Sequence, residues 1–230
     1  MPLSPGKIVV LYGGGLGPAS LVQNQPTGGA YSTQAGGTSI AFNGIAAPIL
    51  YTSANQVAAI VPYGVTGATA QITVTYLGQS SRPFSMVMAA AVPSLFTLNQ
   101  TGGGATAAIN AADGSINTAA TPAHPGEYVS LFATGEGQIS PSGADGAIAT
   151  GQLLRTPVER VTATVGGLPA VVQYAGTAPG LVAGLMQVNV RIPDGVPPGG
   201  YVPVVIAVGS ASSAADAVWI AVSRPSGPAY

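Results

Sequence analysis

Cysteine is absent from the 230 residues and charge nearly so: six Lys and Arg, seven Asp and Glu, a net charge of −1 and one His. The missing cysteine excludes disulfides, thiolate metal sites and cysteine nucleophiles, and is compatible with either redox compartment. The missing charge excludes a nucleic-acid surface, because affinity for the phosphate backbone rests on clustered Lys and Arg that release counterions. At 6% charged residues, against about 25% in an average soluble domain, most acid–base constellations are excluded too. One His cannot supply a zinc site, which takes several His or Cys ligands. No apolar run reaches the roughly 20 residues of a membrane helix, so no membrane insertion is expected. The opening MPLSPGK lacks the charged region and apolar core of a signal peptide and reads as a mature chain or an excised fragment.

What is present is Gly, 33 residues, and Pro, 20, set between short runs rich in β-branched residues. Ile72, Val74 and Tyr76 alternate with Gln71, Thr73 and Thr75, and Met186, Val188, Val190 and Ile192 alternate with Gln187, Asn189 and Arg191. A period of two puts one set on a core face and the other toward solvent. Ile8–Tyr12, Thr38–Phe42, Tyr128–Phe132, Val161–Val165, Val202–Val208 and Ala217–Val222 are further strand candidates. Asn43-Gly44, Gly166-Gly167, Asp194-Gly195 and Pro198-Gly199 mark turns between them.

The chain also repeats itself. PGKIVVLYGGGLGP from Pro5 aligns with PGEYVSLFATGEGQ from Pro125 at an offset of 120; FNGIAAPILY from Phe42 aligns with VGGLPAVVQY at 123, and NQVAAIVPYGV from Asn55 with MQVNVRIPDGV at 131. Offsets that grow in small steps are what loop insertions do to two copies of one fold. The expected fold is all-β: two tandem immunoglobulin-like β-sandwich domains, residues 1–92 and 125–223, joined by a structured bridge at 93–124 and followed by a tail at 224–230. The bridge carries a hairpin turn at Asp113-Gly114, and Phe96, Leu98, Ile109 and Ile116 are expected to pack on a neighbouring sheet, fixing the two domains relative to each other.

Each copy resembles an IPT/TIG-type immunoglobulin-like domain: an opening Pro-Gly strand, a Gly-rich turn (GGGLG at 13–17, ATGEG at 133–137), then a strand ending in Gly and one of the form Q-V-x-x-x-V/I-P-x-G-V. The whole chain, from 5 to 223, is similar to an uncharacterised C-terminal domain family of large secreted acidobacterial proteins, through PSLF at 93–96, AADGSIN at 111–117, SLFATGEGQISPSGADG at 130–146 and YAGTAPGLVAGLMQVNVRIP at 174–193. That resemblance implies a non-catalytic extracellular or cell-surface module with no assigned activity and no catalytic residue to carry over. The DNA-binding branch of the IPT/TIG family uses basic loops that this chain lacks.

Few residues remain as candidates for chemistry, and no cofactor is expected. Asp113, Glu136 and Asp145 are oxygen donors of the kind Ca²⁺ takes, but their spacing fits no calcium-loop motif, and Asp-Gly pairs form turns in their own right. His124, in TPAHPG, has no G-x-S-x-G nucleophile to serve. Lys7 is the only lysine; its counterpart Glu127 predicts a solvent-facing position, leaving little room for a crosslink to an Asn. Tyr63, Tyr201 and Trp219 are the rings that would contact a ligand or partner if exposed. Trp219, in AVWIAV, turns outward only if Val218 and Ile220 turn inward, and core packing is its expected place. The partners that fit are proteins or further copies of the chain, assembling into a filament or surface layer, with polysaccharide as the alternative.

Overall fold

The computed structural model describes residues 1–143, 145–151 and 154–224; Pro225 and Pro228 of the tail lie outside them. The strands are β1 (Ile8–Tyr12), β2 (Val22–Gln23), β3 (Gln34–Ala35), β4 (Thr38–Phe42), β5 (Ile45–Ala46), β6 (Ile49–Thr52), β7 (Gln56–Ile60) and β8 (Thr69–Tyr76). Then follow β9 (Gln79–Ser80), β10 (Phe84–Val87), β11 (Ser94–Leu95), β12 (Gly104–Ala105), β13 (Ala108–Asn110), β14 (Tyr128–Thr134) and β15 (Ile139–Ser140). The last are β16 (Thr156–Pro157), β17 (Val161–Val165), β18 (Leu168–Thr177), β19 (Met186–Arg191), β20 (Gly199–Val208), β21 (Ala211–Ser212) and β22 (Val218–Val222). Among the described residues no helix is long and apolar enough to cross a membrane.

Two compact units divide the chain. Unit 1 holds residues 1–92, 135–158 and 177–185; unit 2 holds 93–134, 159–176 and 186–230. Unit 1 is a sandwich of a sheet ordered β1-β7-β6-β2 and one ordered β10-β8-β4-β3, with β15 and β16 paired separately. Its core is Ile40, Phe42, Ile49, Val57, Ala59, Ile72 and Val74, with Val9 and Leu11 packed against it. Unit 2 is one ladder, β11-β14-β19-β18-β17-β20-β22-β12. Met186, Val188, Val190 and Ile192 are all buried, the face that the alternation defines.

The duplication extends to strand register. Ile8 stands opposite Ile60 and Tyr128 opposite Arg191, and the offsets of 120 and 131 turn one pair into the other. Phe42↔Ile72 corresponds likewise to Val165↔Val204, Tyr76↔Gln79 to Val208↔Ala211, and Gln71↔Ser85 to Pro203↔Trp219. A side-chain bond repeats too: the Val74 N–H donates to Ser81 Oγ at 3.1 Å, and the Ile206 N–H to Ser213 Oγ at 3.1 Å.

One difference between the copies lies at β18. In unit 2, β18 pairs with β17 through Leu168–Ala170 and continues beside β19, tying both sheets into one ladder. In unit 1 the equivalent stretch is broken into β5, on β4, and β6, on β7. Pro48 falls at the break, where the second copy has Val171. Proline has no N–H for a ladder and interrupts a strand interior.

The expected bridge is part of unit 2's sheet: β11 and β13 pair with β14, and β12 runs parallel to β22. The predicted hairpin at Asp113-Gly114 is present, with Ile109 and Ile116 bridged across it. The facing of its apolar residues differs from expectation. Leu98 and Ile116 are exposed, while Leu95, Ala108, Thr97, Thr106, Asn110 and Asn117 are buried. Hydrogen bonding decides this, because buried polar groups need partners. Thr106 Oγ1 donates to the Phe96 carbonyl at 3.0 Å. Asn117 Nδ2 donates to Asn110 Oδ1 at 2.9 Å and to the Ala221 carbonyl at 3.0 Å, and its Oδ1 accepts the Ala221 N–H at 2.7 Å. Asn117→Ala strands the Ala221 N–H and Asn110 Oδ1, while the Ala221 carbonyl keeps the Ala123 N–H, and is expected to destabilise the protein by about 2–4 kcal/mol in chemical denaturation. A loss under about 0.5 kcal/mol would show that these groups are satisfied otherwise.

Candidate functional site

Unit 1 encloses a polar cluster that sequence spacing does not reveal. Tyr63 follows β7, whereas Glu136 lies in the Gly-rich turn after β14, yet the Tyr63 phenol donates to Glu136 Oε1 at 2.7 Å. The Tyr63 N–H donates to Asp145 Oδ1 at 2.8 Å, and Gln138 Nε2 donates to the Tyr63 carbonyl at 2.7 Å. Tyr63 is 7% exposed and Glu136 2%. Tyr63 is therefore not an exposed contact ring: its phenol is spent on holding the 135–158 segment, with Ile139 and Ala183 packed beside it. The turn can lie this close because Gly135 and Gly137 have positive φ and no side chain; a Cβ on Gly135 would sit 2.0 Å from the Val92 carbonyl oxygen.

Lys7 is buried rather than solvent-facing, and its Nζ donates to the Val92 carbonyl at 2.7 Å. Burial lowers its pKa to about 8, against the pull of Glu136 upward. Burial likewise pushes Glu136 up, to about 7, despite the stabilising bonds from Tyr63 and from backbone N–H groups. The same burial, with Glu136 alongside, drives the Tyr63 phenol far above its ordinary range. Among the described residues, Glu136 Oε2 and Arg155 Nε are buried without a hydrogen-bond partner. Tyr63, Glu136 and Lys7 are all buried, and their hydrogen bonds anchor loops.

The other candidates lie apart. Asp113 Oδ1 accepts from the Ser115 N–H at 2.9 Å and the Ser115 hydroxyl at 2.7 Å, a turn-stabilising arrangement that holds its carboxyl below the usual range. Among the described residues no group of three or more His, Asp and Glu side chains is placed to hold a metal ion. His124 Nδ1 lies 2.7 Å from Ser223 Oγ and 2.9 Å from the Arg224 carbonyl, and Glu127 accepts the His124 backbone N–H rather than a ring proton. That is a strand-end clasp, not the relay of a catalytic triad. Val218 and Ile220 are buried, so Trp219 takes the opposite face, half-buried, where it meets Tyr201 edge to face at a centroid distance of 5.3 Å. Tyr201 is 78% exposed.

One accessible concave feature of unit 1 is a groove of about 380 Å³ beside β1, with Val10, Tyr12, Gly13, Val74, Arg82 and Phe84 on its walls. It runs between the outer edge of β1, which ends its sheet, and β10, which ends the other. Sequence patterning marks β1 but neither β10 nor the space that the two edges leave.

No family model matches the chain, and no curated protein matches it. Among solved structures, it is similar to the mixed-linkage glucan utilization locus protein SGBP-B of Bacteroides ovatus in complex with a mixed-linkage heptasaccharide: 14% identity over 97% of this chain and 44% of that one, TM-score 0.36. It is similar to the surface glycan-binding protein PbSGBP-B of Prevotella bryantii at 12% identity, covering 91% of this chain and 41% of that one, TM-score 0.28. It is also similar to the plexin A4 extracellular region at 13%, covering 96% and 17%, TM-score 0.28. The chain spans less than half the length of each.

The buried acid sets a pH dependence. A carboxyl whose folded pKa is raised favours the protonated form, so its contribution to stability is complete below about 4.5 and is lost as pH rises through about 7. Glu136→Gln keeps an acceptor for the Tyr63 phenol and removes the charge. Wild type is expected to lose on the order of 3 kcal/mol relative to the Gln variant between pH 4.5 and 7.5. Denaturant melts at several pH values measure it; parallel profiles would contradict it.

Proposed function

We propose that this chain is a non-catalytic structural or interaction module of the adhesion or scaffold type, working outside the cell or at its surface, and that unit 1 meets a protein partner or a further copy through its groove. The observation that carries the reading is the groove's character. It is open, mostly apolar and nearly uncharged: Lys7 and Arg82 are the only charged side chains among residues 1–92, and Lys7 is buried. An exposed apolar surface with little electrostatic repulsion suits association better than catalysis. A second reading, polysaccharide binding, draws support from Tyr201, an exposed ring backed by Trp219. Aromatic faces with one polar handle are common at contact sites.

Hydroxyl-radical footprinting distinguishes the two. In the extracellular fraction of the producing organism, Tyr12 and Phe84 are expected to be labelled at least about threefold less than in the isolated chain, since a specific interface excludes solvent from its centre. Equal labelling in both settings defeats the first reading. Protection of Tyr201 and Trp219 by soluble polysaccharide, with Tyr12 unchanged, establishes the second in its place.

A further inference from the structure

Because the two units share one strand register, each shows what the other lacks. The Val61 N–H donates to the Lys7 carbonyl, and the Gly13 N–H to the Asn55 carbonyl. This phase makes Val9 and Leu11 the residues bonded to β7 and turns the backbone groups of Val10 and Tyr12 outward. Among the described residues, those outward groups have no partner. Their counterparts in β14 are Ser130 and Phe132, and these are paired. Ile109 stands opposite Ser130, the Phe132 N–H donates to the Ala107 carbonyl, and the Phe132 carbonyl accepts the Phe96 N–H.

The opposite wall tells the same story. Phe84 and Ser85 of β10 correspond to Val218 and Trp219 of β22, and β22 is covered by Gly104 and Ala105. Phe84 is 40% exposed where Val218 is 3%. Ser81 is exposed where Ser213 is buried. In unit 2, then, one extended stretch, Gly104–Asn110, starts beside β22 and crosses to β14. In unit 1 the same place is the open groove.

We infer that the groove beside β1 is a docking site for an extended, uncharged polypeptide strand, laid antiparallel to Val10–Tyr12 and crossing to Phe84. This rests on the proposed reading of unit 1 as an interaction surface and names its partner's chemistry. The internal precedent sets the register: the residue equivalent to Ile109 falls opposite Val10, and the one equivalent to Ala107 opposite Tyr12. It also sets composition. The stretch in unit 2 reads GATAAIN, small residues at the crossing and one β-branched residue on the edge. Main-chain bonds supply the affinity of such strand addition, and alternate side chains its selectivity.

The probe is a synthetic peptide of residues 103–112, GGATAAINAA, added to the whole chain, with backbone hydrogen exchange read by NMR. Exchange of the Val10 and Tyr12 amides is expected to slow by at least about tenfold at saturation, as a newly closed ladder requires. A peptide carrying Ile109→Pro lacks the N–H that meets the Val10 carbonyl and is expected to have no effect. On the protein side, Val10→Pro removes an outward donor without touching the β1–β7 ladder and is expected to abolish the response. Unchanged Val10 and Tyr12 exchange with saturating peptide overturns the inference, and so does equal slowing by the proline peptide. Slowing that grows with protein concentration in the absence of peptide overturns it as well, assigning the edge to a second copy. Footprint protection of Tyr12 and Phe84 without any peptide effect leaves the broader reading standing and removes this one alone.

Discussion

A strand at the end of a sheet leaves every second residue with a bare N–H and a bare carbonyl, and most of this structure answers that constraint. Unit 2 meets it with its own chain: the stretch after Pro93 lies along β14, crosses to β22 and ends in the clasp of Asn110, Asn117 and Ala221. Unit 1, built on the same register, meets it only in part. The difference between the copies is therefore one of covering, not of core.

Charge takes an unusual place in such a molecule. With so few ionised groups, each can be followed individually, and the most consequential are inside. Glu136, Tyr63 and Lys7 are buried together, at the cost of an orphaned carboxylate oxygen. The exposed Arg191–Asp194 pair at 3.1 Å is the ordinary kind, worth little in high dielectric. An acid buried with a tyrosine partner gives up solvation for a single geometry, and here Tyr63 ties down Glu136, Gln138 and Asp145.

Much of the fold was legible in the residues because period-two patterning reports burial directly. Met186 to Ile192 alternate in sequence and in space, and the offsets of 120 and 131 turn the pair Ile8↔Ile60 into Tyr128↔Arg191. The site was not legible. Tyr63 reads as an available ring and Lys7 as a surface residue because nothing local announces that a segment more than seventy positions later will fold over them. In the bridge, apolarity misled: Thr97, Thr106 and Asn117 go inside because they find partners, and Leu98 stays out. Trp219, expected in the core, is instead half-buried and turned outward, because Val218 and Ile220 take the inward face. The groove is a property of two strand edges and of what fails to cover them, which no single stretch of sequence contains.

Pro48 has a consequence beyond strand counting. In unit 2 the continuous β18 makes both sheets one hydrogen-bonded body, so separating them means tearing a backbone ladder. In unit 1 the chain passes between β5 and β6 at Pro48, and the two sheets are held face to face by side-chain packing, the Thr52–Thr38 hydroxyl bond and the backbone bonds of Leu3 to Val87 and Ala89. Two copies of one architecture thus join their sheets differently: through a continuous strand in the second, and through packing and a few isolated hydrogen bonds in the first.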